Sequence, residues 1–312
     1  MKFCFLLFTA TVLAQTPKPA GKPWTLGHTA DGQPDLQGIW SGATITPLER
    51  PAELAAKQSF TEQEARAYEK ELLTRNNMDR RDGPVDQDVG RAYNDFWWDR
   101  GQQIVKTRRT SLIVDPPDGR LPTLTAPAQK RQADRAARLQ RPANGPEDRS
   151  LGERCILLGA GAAPIVPTAY NNNYQIVQSP GVVTIFSEMI HDVRVIPLDG
   201  RPHLTSDIRQ YKGDSRGHWE GNTLVVETTN FSDKTQFRGS GEHMKLTERF
   251  TRSDAETLLY EFTVNDPESF SKPWTAQLPL WKTEGPIFEY ACHEGNEGMV
   301  GILSGARADE KK

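Results

Sequence analysis

The chain is short of cysteine, of long apolar runs and of charge of one sign. Only three cysteines occur in 312 residues, and none stand in a C-x-x-C spacing, which leaves no paired-cysteine metal site. Beyond the first 14 residues no apolar run approaches the ~20 residues needed to cross a bilayer, so the mature chain carries no transmembrane segment. The formal net charge is −3, which argues against a nucleic-acid partner. Intact catalytic signatures are missing too. Gly213-Asp214-Ser215-Arg216-Gly217 fits G-x-S-x-G, but a hairpin through Gly221-Asn222 follows it where a nucleophile elbow needs a helix. Gly159-Ala160-Gly161 opens like a dinucleotide loop, yet Pro164 takes the third glycine position. His293-Glu294 has Glu297 where a zinc protease needs its second histidine.

The N-terminus does carry a signal. Met1-Lys2, an apolar stretch from Phe3 to Leu13, and Ala14 before Gln15 are the parts of a cleavable secretory peptide. Residues 1–14 are therefore expected to be removed, and the protein to work in the periplasm or outside the cell. Cys4 leaves with that peptide. Cys155 and Cys292 remain, an even number suited to an oxidising compartment. If bridged, they close a loop of 137 residues, for which chain entropy gives about 4–5 kcal/mol. Two separate buried thiols are the alternative.

Residues 15–34, rich in Pro, Gly, Thr and Gln, read as a mobile lead-in to a single β-rich domain over 35–308. Two helices interrupt its N-terminal half. One is expected near 62–76, where Thr61 and Glu64 spell a capping box, and one near 126–140 behind Thr125. The cluster Tyr93–Trp98 must pack against something. From residue 170 the pattern turns to strands: 174–178, 182–187, 193–198, 223–231, 245–252, 258–264, 274–281 and 287–292. Pro180-Gly181, Asp199-Gly200, Gly221-Asn222, Asp254-Ala255 and Glu284-Gly285 punctuate them as turns. Turns this short join antiparallel strands. The expected fold is mainly β, an antiparallel hairpin meander forming a barrel or a strongly bent sheet.

The polar residues scatter along this pattern. Glu188, His191, Asp192 and Arg194 flank a strand break; Asp214, Arg216 and His218 precede the Gly221 turn; Tyr290, His293 and Glu294 end the last expected strand. Imidazole beside carboxylate is equipment for proton transfer near neutral pH. Alternation puts His191 on one face with Val183, Ile185 and Met189, an inward direction unless Met189-Ile190 bulges. Arg249 and Glu261 fall on polar faces of adjacent strands as a cross-strand pair. Two functions follow. One is a binding protein with a small organic ligand in a partly polar cavity, Arg194, Arg216, Tyr290 and His293 being candidate contacts. The other is a pocket enzyme, a lyase, isomerase or hydrolase, with His191, Asp192, Asp214 and His218 as acid–base candidates and Arg216 as anion clamp. The sequence names no cofactor and no metal.

Two resemblances add to this reading. Gly38-Ile39-Trp40, opening the first strand, resembles the G-x-W signature of lipocalin-type barrels, in which the tryptophan closes one end and the pocket holds small, often apolar molecules. The two helical insertions and the long N-terminal portion depart from that family. The chain is also similar, over most of 35–308, to an uncharacterised group of secreted bacterial proteins. Asp115-Pro-Pro-Asp-Gly-Arg120, Tyr170-Asn-Asn-Asn-Tyr174, the run Gly213 to Phe231 and Tyr290-Ala-Cys-His-Glu-Gly-Asn296 carry that likeness. It implies secretion and no particular chemistry.

Overall fold

A computed structural model describes residues 24–81, 94–158, 163–235 and 237–311. The expected signal peptide and the Gly159-Ala160-Gly161 loop lie outside these residues. Among the described residues the fold is mainly β. Its strands are β1 (Gly38–Ser41), β2 (Ile113–Asp115), β3 (Asn173–Ser179), β4 (Val182–Ser187) and β5 (Asp192–Pro197). They continue with β6 (Asp214–Glu220), β7 (Thr223–Thr229), β8 (Lys245–Arg252), β9 (Thr257–Asn265) and β10 (Trp274–Thr283). Three helices accompany them: α1 (Glu62–Asn76), α2 (Ala126–Leu139) and α3 (Glu297–Asp309). No helix among the described residues is long and apolar enough to cross a membrane.

The two expected helices form where their caps place them. Thr61 Oγ1 accepts from the Glu64 amide while the Glu64 carboxylate accepts from the Thr61 amide, satisfying two donors at the start of α1. Hydrogen bonds from Lys57 and Thr61 hold the Glu64 carboxyl down to about 2. Its contribution is therefore complete above its ordinary value of 4.5 and lost as pH falls toward 2. Thr125 caps α2 through the Ala128 amide.

The strands pair antiparallel in the order β5-β4-β3-β1-β10-β9-β8-β7-β6, with β2 added to β10. Inward residues alternate along most strands, although Val225 on β7 and Pro279 on β10 are buried out of turn. Tyr174 and Ile176, Val183 and Ile185, Leu224 and Val226, Leu246 and Phe250, Tyr260 and Phe262, and Trp274 and Leu278 are all no more than 4% exposed and join Trp40 in one contiguous core. The outward register is as expected at Arg249 and Glu261, which are direct ladder partners. Arg249 sends its ion pair to Glu220 instead.

This sheet is strongly bent. Arg194 on β5 donates to both carboxylate oxygens of Glu248 on β8, at 3.0 and 2.5 Å. Those strands are six ladder steps apart, about 29 Å in a flat sheet at ~4.8 Å per step, so the sheet must curl to bring them together. The end strands meet as well: a β-carbon added to Gly217 on β6 would stand 2.8 Å from Ile196 and 2.6 Å from Leu198. No backbone ladder joins β5 to β6 among the described residues, so the sheet is not closed, and only side chains of its end strands approach one another.

Two parts of the chain depart from expectation. Residues 287–292 form no strand; Gly285 takes a φ of 84° and Pro286 offers no amide to a ladder. Helix α3 was not signalled, because Val300 and Ile302 remain exposed and leave no amphipathic stripe.

Both Arg194 and Glu248 are buried, and Tyr260 adds a hydroxyl donor to Glu248 at 2.8 Å. Burial by itself lowers the Arg194 pKa, but the charge and hydrogen bonds of Glu248, with Tyr260 and Asp192 nearby, together more than reverse this, so the guanidinium stays protonated. Glu248→Ala is expected to lower the unfolding free energy by about 3–5 kcal/mol by stranding that charge, and Arg194→Met/Glu248→Leu to recover most of it. Urea titration checks both, and a loss below about 1 kcal/mol in the single variant contradicts the bridge.

Candidate functional site

The ladder registers give the sheet two unlike ends. Tight turns at Pro180-Gly181, Gly221-Asn222 and residues 253–256 occupy one end. The connections 188–191, 230–244 and 266–273 gather at the other, where β3 begins. Loops carry function where a scaffold positions them, so the site is sought at this second end.

Four chain segments meet there. The loop 97–101 is tied down by the Asp99 amide donating to the Ala169 carbonyl and by Asn172 Nδ2 donating to the Asp99 carbonyl at 2.6 Å. Gly101 permits the approach: its φ is 79°, and a β-carbon would lie 2.7 Å from the Thr44 backbone nitrogen. Residues 168–172 are knotted by Asn172, fully buried, whose Oδ1 accepts from the Thr168 amide and hydroxyl. The tail after β10 runs across to the same end. Glu188, 2% exposed, accepts from the Phe288 amide at 2.8 Å, and the Tyr290 carbonyl lies 3.0 Å from His191 Nδ1. A carbonyl only accepts, so that ring nitrogen carries the proton. The bond Cys155–Cys292 fixes the tail two residues further on.

These ties stack a row of rings. Tyr170 lies on Tyr290 with centroids 6.2 Å apart and planes at 16°, and Trp98 meets Tyr170 edge-on at 6.0 Å. The Arg100 guanidinium sits 4.0 Å above the Trp98 ring. Trp97, Trp98, Tyr170 and Asn171 line a cleft of about 340 Å³. Trp97 remains 61% exposed at its edge. A broader hollow of about 490 Å³ adjoins it between residues 44–53, α1 and residues 166–169. The smaller cleft is the better site, since its walls are aromatic with few polar groups.

The candidate residues named from sequence do not converge on one point. His191 is exposed, because Met189–His191 makes a turn with Ile190 at φ 57° that breaks the alternation. Asp192 pairs with Lys212; burial raises its pKa, and Lys212 opposes this. Asp214, at the start of β6, accepts from Arg216 at 2.7 Å and from His203 Nδ1 at 3.0 Å. His218 stands four residues along the same strand, about 13 Å away, and pairs with Glu220 at 3.2 Å. Arg194 is spent on Glu248, and His293 lies exposed beyond Cys292. Tyr290 alone reaches the aromatic row. Ser215 of the G-x-S-x-G match is 8% exposed and bonded to Thr228 Oγ1, so it is no exposed nucleophile. His203 went unnoticed in the sequence because Arg201-Pro202-His203 has no periodicity to read. Trp98 and Tyr170 were visible only as an aromatic cluster and a Tyr-Asn-Asn-Asn-Tyr run. Among the described residues no three His, Cys, Asp or Glu side chains are placed to hold a metal ion.

The chain matches no protein-family model, and searches of curated proteins and of solved structures return no match.

The tail bearing Tyr290 has no ladder, so the disulfide is its strongest tether. Cys155→Ser/Cys292→Ser is expected to cost about 2–5 kcal/mol and to expose residues 284–296 to limited proteolysis. Mass mapping of the fragments checks this; an unchanged cutting pattern contradicts it.

Proposed function

We propose that this chain is an extracytoplasmic binding protein, a lipocalin-like barrel that holds a small planar organic ligand at its rim. The reading rests on one observation: Trp98, Tyr170 and Tyr290 form a fixed row of rings beside a cleft of about 340 Å³. Aromatic faces prefer offset or edge contacts with another ring or with an apolar sugar face, and rigid aromatic walls give up little entropy when a ligand arrives. Arg100 over Trp98 adds a positive charge at the lip, which favours a ligand with an anionic or electron-rich substituent.

The interior is a poor alternative place for the ligand. Its apolar positions are packed with Trp40, Phe250, Phe262 and Trp274, and its polar centre is the bonded set Arg194, Glu248 and Tyr260. Trp40 of the G-x-W resemblance is fully buried, with Arg252 5.4 Å from its ring, which supports barrel-like closure. The Cys155–Cys292 bond and the signal-like N-terminus support an oxidising compartment.

The enzyme reading has one observation in its favour. Asp214, 5% exposed, orients His203 through Nδ1, as a carboxylate does for a catalytic base. The same carboxylate accepts from the Leu204 amide and Arg216, however, and so fastens the connection 199–213 onto β6. That is a sufficient structural task. Binding is therefore the stronger reading.

Titration with anilinonaphthalene sulfonate, followed by its fluorescence, tests the site. Saturable single-site binding is expected, and Trp98→Ala or Tyr170→Ala is expected to weaken it about tenfold or more. Val195→Ala, on the outer face of β5, is expected to leave it unchanged. Equal binding by all four proteins removes the proposal.

A further inference from the structure

The hollow of about 490 Å³ beside the aromatic cleft is walled by donors with few acceptors to meet. Tyr68, Leu72 and Arg75 face it from α1, at the spacing of a single helix face. The Tyr68 ring is fixed against Phe60, with centroids 4.8 Å apart, and its hydroxyl has no hydrogen-bond partner. Burial raises the pKa of that hydroxyl and the Arg75 charge opposes the rise, which places the guanidinium nearby. Arg75 reaches Glu71 only at 4.0 Å. Arg100, the cation above the Trp98 ring, spends one nitrogen on the Asn76 carbonyl at 3.2 Å. Arg238 lines the hollow from the connection 230–244, and its side chain has no hydrogen bond or ion pair. Glu53 is the one carboxylate among the described lining residues, and it too is unpaired. All four donors are within reach of a ligand: Arg75 and Arg238 are exposed, Tyr68 and Arg100 half-buried.

A structural task accounts for only part of this set. Arg75 and Arg100 stand at the C-terminus of α1, where a cation answers the helix dipole and the last carbonyls. Neither Arg238 nor the Tyr68 hydroxyl has such work. A neutral occupant would leave three guanidinium groups around one hollow with a single opposing carboxylate, and a cation would add to the excess. An anion with several acceptor oxygens relieves it and meets the idle donors. Ile45, Leu48 and Val166 supply apolar wall between these donors, where the body of such a ligand can lie.

We propose that the ligand at the rim is an aryl oxyacid. Its ring occupies the aromatic cleft, and its ionised acid group lies in the hollow among Arg75, Arg100, Arg238 and the Tyr68 hydroxyl. Guanidinium groups bind such oxygens through charge-assisted hydrogen bonds. Arg100 joins the two halves of the site, since it stacks on Trp98 and also lines the hollow. The inference rests on the aromatic cleft being the binding site, as proposed above, and adds the acidic group that its ligand must carry.

Two fluorescent probes with the same rings separate charge from shape: anilinonaphthalene sulfonate, and N-phenyl-1-naphthylamine, which lacks the sulfonate. Arg238→Gln and Arg75→Gln are each expected to weaken the sulfonate probe about fivefold or more and to leave the neutral probe within about twofold. Glu53→Gln removes the opposing charge and is expected to tighten the sulfonate probe alone. All three positions are exposed, and an unchanged circular dichroism spectrum verifies folding of each variant. Trp98→Ala is the companion variant and is expected to weaken both probes. If it does so while the arginine variants treat the two probes alike, the anion subsite is overturned and the cleft stands. If Trp98→Ala leaves both probes unchanged, the cleft falls and the subsite with it.

Discussion

A guanidinium–carboxylate pair buried between strands at distant positions in the sheet governs this structure. Arg194 and Glu248 lie six ladder steps apart by hydrogen bonding and in direct contact through space. Neither charge could be left in an apolar interior alone, because desolvation without a partner costs several kcal/mol. Each therefore demands the other, and the sheet must bend for them to meet. Tyr260 completes the set by donating to Glu248 and accepting from the Ile165 amide, which pins the segment before β3 to the interior. A purely apolar interior could be packed in more than one curvature. A bidentate ion pair has one geometry, and so it selects the curvature.

That bend decides where chemistry can occur. Once curled, the sheet fills its own interior with side chains from nearly every strand, and the tight turns occupy one end. The remaining open ground is the end where the long connections gather. There the loop 97–101, the segment 168–172 and the tail after β10 are each held by buried amide, carboxylate or disulfide ties, so the rings they carry are positioned before any ligand arrives.

Much of the scaffold was legible because its signals are local. Thr61 and Glu64 define the start of α1, Thr125 that of α2, and short turns separate strands that mostly alternate. Cys155 and Cys292 are joined, as the even number left after the expected signal peptide suggested. What failed were inferences that need tertiary information. The alternation placing His191 inward stopped at the Ile190 turn. The apolar run 287–292 reads as a strand until Glu188 takes the Phe288 amide. Arg194 looked like a ligand contact because nothing in its own segment shows Glu248, 54 residues on, as its partner. The pairing of His203 with Asp214 spans a loop without pattern, and the meeting of Trp98, Tyr170 and Tyr290 joins three distant segments.

The curvature itself is open to a direct distance measurement. Val195 on β5 and His218 on β6 are both exposed and accept spin labels without disturbing the core. Strong dipolar broadening, as between labels on neighbouring strands, is the expected result. A separation near the ~38 Å that eight ladder steps span in a flat sheet would contradict the bend, and with it the placing of the aromatic cleft at the rim.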